Sequence, residues 1–369
     1  MKKRFLLCLL CLTLLMLAFI SGCGKKEETT KQAKPEAVIT EQNTNLSDGA
    51  DNEGIEVEID EASEVTPDNT AEDIGTDNNT ETKKEVKDNS GKRVVCFGDS
   101  LTVGTGGEGT TMPDTIAKLS GAEVLNYGGY GESASCIAAR QGGNPQYLVE
   151  DIVIPTDTTP VRAQCSGKYG YEMLLVFADA GINNVMLNGI EGTYTMVDDE
   201  RCFTRLTPGE EVKVPAGTQL FTHAMLDKRD DDILVIWAGS NNGIETEDQI
   251  PALIEQIDEM IEYQGNDTYV VVSLTSRHGR IPLVDKVNEN LKNHFGEHYL
   301  DLRSYMVNEA LSELNITPTK LDNQAIAAGD VPVSIRYSTD EEENHGNADF
   351  YRLAGEQIYK KLVELGYLY

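Results

Sequence analysis

A chain of 369 residues is long enough for one large domain or two smaller ones, yet its 40% apolar content is low enough to point to a non-globular portion. The formal net charge of −31 excludes a nucleic-acid partner, because neutralising phosphates takes clustered Lys and Arg. The same charge excludes attachment to an anionic membrane surface through a basic patch.

At the start of the chain, Lys2, Lys3 and Arg4 precede an apolar run over 5–20 and then Ser21-Gly22-Cys23. A positive start, a short apolar segment and small residues describe an export signal, and the run is short of the ~20 residues a spanning helix needs. Ile20-Ser21-Gly22-Cys23 resembles the lipobox of bacterial lipoproteins. That resemblance implies a signal peptide over 1–22, a diacylglycerol on the Cys23 sulfur, and a chain held extracytoplasmically at the cell membrane by its lipid. An ordinary signal peptide or an uncleaved anchor are the other readings, and both also export the remainder. Residues 23–91 are rich in Asp, Glu, Asn, Thr and Lys and nearly devoid of aromatics. Such a segment buries too little apolar surface to offset its ordering entropy, so a disordered acidic tether is expected.

An ordered domain is expected over 92–369. Arg93-Val94-Val95-Cys96-Phe97 is a short apolar run closed by Gly98, as in a strand buried on both faces. Similar runs recur at 122–126, 233–238, 268–274 and 299–302, with helical periodicity over 250–263 and 283–295 and near 349–365. Strands alternating with helices predict a parallel sheet covered on both sides. The stretch 154–228 breaks the rhythm with Pro155, Pro160, Pro208 and Pro215, and is expected to be a β-rich insertion. Within it, Phe203-Thr204-Arg205-Leu206, then Thr207-Pro208-Gly209-Glu210, then Glu211-Val212-Lys213-Val214 reads as strand, turn, strand. Cys165 and Cys202 fall in this insertion and either pair, as export permits, or remain buried thiols.

Four blocks carry chemistry. Gly98-Asp99-Ser100-Leu101-Thr102 directly follows the first strand, where open α/β sheets bind ligands. Asn126-Tyr127-Gly128-Gly129-Tyr130-Gly131-Glu132-Ser133 follows the second, Gly239-Ser240-Asn241-Asn242 follows the strand ending in Trp237-Ala238, and His345 precedes the last helix. Serine, glycine, asparagine and histidine in this order resemble the four sequence blocks of the GDSL/SGNH hydrolases, over roughly 92–369. The resemblance implies a three-layer α/β/α, flavodoxin-like fold with a five-stranded parallel sheet, here carrying the β-rich insertion. It also implies a serine esterase. Ser100 would be the nucleophile and His345 its base. The backbone N–H groups of Ser100 and Gly131 and the side-chain amide of Asn241 would form the oxyanion hole. The family usually places aspartate three residues before the histidine. Here Glu342 has that spacing and Asp340 has that residue type, and both stay candidates for the triad acid. Asp99 is read as a turn residue.

Such a site needs neither metal nor organic cofactor, and the implied partner is a small-molecule or polysaccharide ester. Family and location together favour an O-acetyl esterase acting on cell-wall or other carbohydrate. The alternatives are a lipase or lysophospholipase of the same fold, or a non-catalytic carbohydrate-binding or scaffold protein. Gly104-Thr105-Gly106-Gly107-Glu108-Gly109 fits G-x-G-x-x-G but trails its strand by about seven residues, and no acid closes the second strand, so a dinucleotide site is not expected. No G-x-S-x-G elbow occurs. His294 and His298 have a metal-compatible spacing without an evident third ligand and read as a helix end. His223 reads as part of the insertion, and His278 as a loop residue that could line the pocket.

Overall fold

Five short, mostly apolar strands form the centre of the described domain. They are β1 (Arg93–Gly98), β2 (Glu123–Gly128), β3 (Ile233–Trp237), β4 (Tyr269–Val272) and β5 (Tyr299–Leu300). All neighbours run parallel, in the order β2-β1-β3-β4-β5. The chain crosses from one side of β1 to the other between β2 and β3, so the order reverses at the β1/β3 boundary. That switch point is where the carboxyl ends of the strands leave a crevice. The computed structural model describes residues 88–170, 184–241, 244–275, 280–340 and 344–369, all within the unit Glu81–Tyr369. Residues 1–22, Cys23, nearly all of the expected tether, His278 and Glu342 lie outside the described residues.

Side chains alternate along a strand, so each strand feeds two cores. Val94, Cys96, Val235, Trp237 and Val272 pack on one face with Met112 and Ile116 of α2 (Met112–Ser120) and with Phe350, Leu353 and Ile358 of α6 (Ala348–Glu364). Val95, Phe97, Leu234, Ile236 and Val271 face the other way. They meet Ile137 of α3 (Ala134–Gln141), Ile257 of α4 (Ile250–Gln264) and Leu291 of α5 (Ile281–Phe295). The result is three layers, α/β/α, as the resemblance implies. Each large apolar side chain sealed in these layers contributes about 1.5–3 kcal/mol of transfer free energy. A one-turn helix, α1 (Ser100–Val103), follows β1 directly. No described helix is long and apolar enough to cross a membrane.

Between α3 and β3 the chain builds an antiparallel β region. A seven-stranded sheet runs from Gln146–Leu148 to Gln219–Thr222, and Ile152–Ile154 pairs with Val212–Val214 in a separate ribbon. Leu148, Leu187, Phe203 and Leu220 close its own core. The strand, turn and strand expected over 203–214 are present, but the two strands do not pair with each other. Glu200–Arg205 pairs with Ile190–Val197, not with Val212–Val214. The Arg205 guanidinium donates to the carbonyls of Pro155 at 2.8 Å and Glu210 at 2.9 Å, and the Gly209 N–H donates to the Thr156 carbonyl at 2.9 Å. These bonds lay the Thr207-Pro208-Gly209 loop against the neighbouring segment and deliver Val212 to a different sheet. Tight two-residue hairpins lie instead at Asn188-Gly189 (φ 50° and 78°) and at Asp198-Asp199 (φ 49° and 63°), left-handed pairs that match strand twist. Cys96, Cys136, Cys165 and Cys202 are buried and no disulfide joins them, so Cys165 and Cys202 are buried thiols.

Candidate active site

The turn after β1 leaves no room for a side chain at Gly98. A Cβ there would lie 2.1 Å from the Thr102 hydroxyl oxygen and 2.6 Å from the Trp237 carbonyl oxygen. This close approach draws α1 against the end of β3 and presents Ser100 at the switch point. Asp99 caps α1, accepting from the Leu101 N–H at 2.9 Å. It is fully buried, and burial pushes its carboxyl up to about 7, partly offset by the hydrogen bond from the Leu101 N–H. Asp99 is thus a structural turn acid, pointing its bond at the α1 backbone.

His345 reaches Ser100 across 245 positions of sequence, its Nε2 lying 2.8 Å from the serine Oγ. That is the contact a base needs to take the hydroxyl proton. The histidine segment is pinned on both sides. The Tyr337 N–H donates to the His345 carbonyl at 2.9 Å, and the Asn347 N–H donates to the Ile335 carbonyl at 3.1 Å. Asn347 also caps α6, accepting from the Phe350 N–H. The glycine run 104–109 has its explanation here. Gly106 (φ +88°) sits so close beneath this segment that a Cβ would be 2.7 Å from the Gly346 carbonyl oxygen and from Tyr337 Cβ. Beside it, the Tyr351 hydroxyl donates to the Thr105 carbonyl at 2.6 Å. The run is a seat for the histidine loop, which is why it follows Ser100 and not the strand.

The two remaining candidate groups follow the strands flanking β1. Gly131, after β2, has φ +66°, a left-handed conformation that costs a non-glycine residue about 1–2 kcal/mol. Asn241, after β3, donates from Nδ2 to the Glu132 carbonyl at 3.3 Å, tying the β3 loop to the β2 loop next to Gly131. An amide NH₂ has two donors, so one N–H of Asn241 is left for an oxyanion. Ser100, Gly131, Asn241 and His345 therefore lie on loops at one end of neighbouring strands. Asp340 is exposed, and its own N–H donates to the Ser338 hydroxyl at 3.3 Å. Glu342, the other candidate acid, is outside the described residues.

Beneath these loops lies a pair not singled out from sequence. The Arg140 guanidinium meets the Glu132 carboxylate at 2.6 Å, and both side chains are 1% exposed. The available signal was Arg140 itself, a cation in the otherwise small and apolar Ala134-Ser135-Cys136-Ile137-Ala138-Ala139 helix, which must find a buried partner. A cleft of about 160 Å³ opens beside the same loops, lined by Ser133, Gly239, Ile244 and Leu253 among others.

His294 and His298 have separate structural partners. His294 Nε2 lies 2.9 Å from the Asp258 carboxylate, whereas His298 stacks on Tyr269 at 4.1 Å and bonds its carbonyl. His223 opens the short helix His223–Asp227 at the end of the β region.

No family model and no curated protein matches this sequence. Among solved structures, the chain is similar to a G-D-S-L family protein from Desulfitobacterium hafniense DCB-2, at 15% identity over 73% of this chain and 99% of that one, with a TM-score of 0.35. A lipolytic G-D-S-L family protein from Veillonella parvula DSM 2008 is similar at 15% identity over 74% and 97%, with a TM-score of 0.36. The lipase Lip_vut3 from a goat rumen metagenome is similar at 11% identity over 73% and 97%, with a TM-score of 0.35.

Proposed function

We infer that this chain is a serine esterase of the SGNH type that removes short acyl groups, foremost O-acetyl groups on cell-wall or other carbohydrate, outside the cytoplasm. One observation carries the esterase reading: Ser100 Oγ and His345 Nε2 are 2.8 Å apart at the switch point of a parallel α/β sheet.

The chemistry follows from the geometry. Ser100 Oγ attacks the ester carbonyl carbon while His345 Nε2 takes its proton. The carbonyl oxygen becomes an oxyanion, met by the N–H groups of Ser100 and Gly131 and the free N–H of Asn241; such a donor is worth about 3–4 kcal/mol in the transition state. Collapse breaks the ester C–O bond, and the imidazolium hands its proton to the departing alcohol. A water, deprotonated by the same imidazole, then attacks the acyl-Ser100 carbonyl; the acyl C–Oγ bond breaks, the imidazolium returns its proton to Ser100 Oγ, and the acid is released. Asp340 or Glu342 would orient the imidazole from its far side.

The cleft lined by Ser133 and Gly239, each two residues from Gly131 and Asn241 respectively, is the space nearest the proposed oxyanion donors. The preference for carbohydrate is supported by the lipobox-like Ile20-Ser21-Gly22-Cys23, which would hold the enzyme beside envelope glycans. The test pairs acetate release from an acetylated glycan with turnover of p-nitrophenyl esters of two to twelve carbons. Acetate release and a steep decline with chain length are expected. Turnover rising with chain length, with no acetate released, would move the assignment to a lipase or lysophospholipase.

A further inference from the structure

We propose that the buried Glu132–Arg140 pair is a positioning device that fixes the oxyanion-binding loops relative to the nucleophile turn. The inference rests on the esterase reading above and assigns these two residues a part in it.

Three loops converge on this pair. The Arg140 Nε lies 3.0 and 3.1 Å from the two carboxylate oxygens of Glu132, and Nη2 lies 2.6 Å from Oε2. The same Nη2 donates to the Gly98 carbonyl at 3.2 Å, at the end of β1, two residues before Ser100. Gly98 also accepts from the Gly129 N–H at 3.0 Å, and the Glu132 carboxylate folds so closely over Gly129 that a Cβ there would be 2.4 Å from Glu132 Cδ. The backbone carbonyl of Glu132 in turn holds Asn241 Nδ2. One ion pair thus ties the loop bearing Ser100, the loop bearing Gly131 and the loop bearing Asn241.

Stability alone does not account for it. Removing two charges from water is costly, and well-packed apolar residues of similar volume are often as stable or more so in such places. What an apolar pair lacks is direction. The Arg140 fork fixes Glu132 in one orientation and addresses a carbonyl on the adjacent strand at the same time. The Arg140 carbonyl accepts from the Thr222 hydroxyl at 2.5 Å, where the β region returns to the α/β layers, so the fork is held from behind as well.

The test measures kcat and KM on p-nitrophenyl acetate, with thermal unfolding, for the full chain and for Arg140→Lys, Glu132→Gln and the double variant Glu132→Gln/Arg140→Gln. Displaced oxyanion donors act on the transition state. The expected result is a kcat lowered about 10- to 100-fold in each variant, with KM within about threefold. The double variant, which leaves no uncompensated charge, recovers the parent's unfolding midpoint but not its kcat, a split that a merely structural pair would not show. Folded variants with kcat within twofold of the parent overturn the proposal. So does loss of folding in all three, which assigns the pair to stability. A parent chain without Ser100-dependent turnover overturns the esterase reading and this proposal with it; a parent that turns over beside variants that match it overturns this proposal alone.

Discussion

Gly106→Ala should disable the base without touching a reacting atom. At φ +88° an alanine carries about 1–2 kcal/mol of backbone strain. Its Cβ would also stand 2.7 Å from the Gly346 carbonyl oxygen and from Tyr337 Cβ. Relief to ordinary contact at ~3.5–4.0 Å requires the histidine segment to move by about 1 Å. A shift of that size stretches the 2.8 Å Ser100–His345 contact beyond what counts as a hydrogen bond. Misplacement by about 1 Å costs on the order of 100-fold in rate, or about 2.7 kcal/mol of barrier. Gly109 supplies the control. Its φ is +91°, yet no atom lies within 4 Å of a Cβ there, so Gly109→Ala carries the strain without the collision. Turnover of p-nitrophenyl acetate and thermal unfolding of both variants separate the two effects. Both should lose about 1–2 kcal/mol to strain, Gly106→Ala more because of the collision, and only Gly106→Ala should lose kcat by about two orders of magnitude. Parental kcat in Gly106→Ala, or an equal loss in Gly109→Ala, would refute the idea that the glycine run seats the base.

Other outcomes follow from the same geometry. Asn241→Ala should lower kcat by about 10²- to 10³-fold with little change in KM, because an oxyanion donor acts in the transition state. Asp340→Ala and Glu342→Ala, compared in one assay, should differ widely; the variant that loses on the order of 10⁴-fold identifies the acid orienting His345, and equal small losses would contradict a triad. Burial raises Asp99 from 3.8 to about 7, so the folded chain binds this proton more tightly than the unfolded chain does. Its contribution to stability therefore falls as pH rises from about 4 to about 7, by about 4 kcal/mol at roughly 1.4 kcal/mol per pH decade. Asp99→Asn keeps the acceptor for Leu101 and removes the titration. Urea unfolding should show its advantage over the parent growing from pH 4 to pH 8, and an advantage that does not change with pH contradicts the burial argument.

Residue patterns announced the central layers but not the strand pairings of the β region, for a physical reason. Runs such as Ile233–Trp237 are apolar at every position because they are buried on both faces, so each one declares itself locally. Loop blocks gain meaning from these strands: Ser100, Gly131 and Asn241 each follow one, and the fold brings the distant His345 to Ser100. The β region depends on pairings between segments far apart in sequence. Its course after Arg205 is set by carbonyls at Pro155 and Glu210, which no local pattern reveals. Asn188-Gly189 was the legible hairpin signal there, whereas the Pro208-Gly209 turn joins two strands that pair elsewhere, its loop being bonded sideways to Thr156. The Glu132–Arg140 pair stayed hidden because a charge within a helix says that it needs a partner without saying which one.

The account stands on Ser100 as the nucleophile. The most direct measurement follows covalent labelling by a fluorophosphonate together with p-nitrophenyl acetate turnover, in the parent and in Ser100→Ala. Labelling and turnover in the parent, both lost in the folded variant, are the predicted result. Turnover that survives in Ser100→Ala, or a folded parent that neither labels nor hydrolyses, would contradict it.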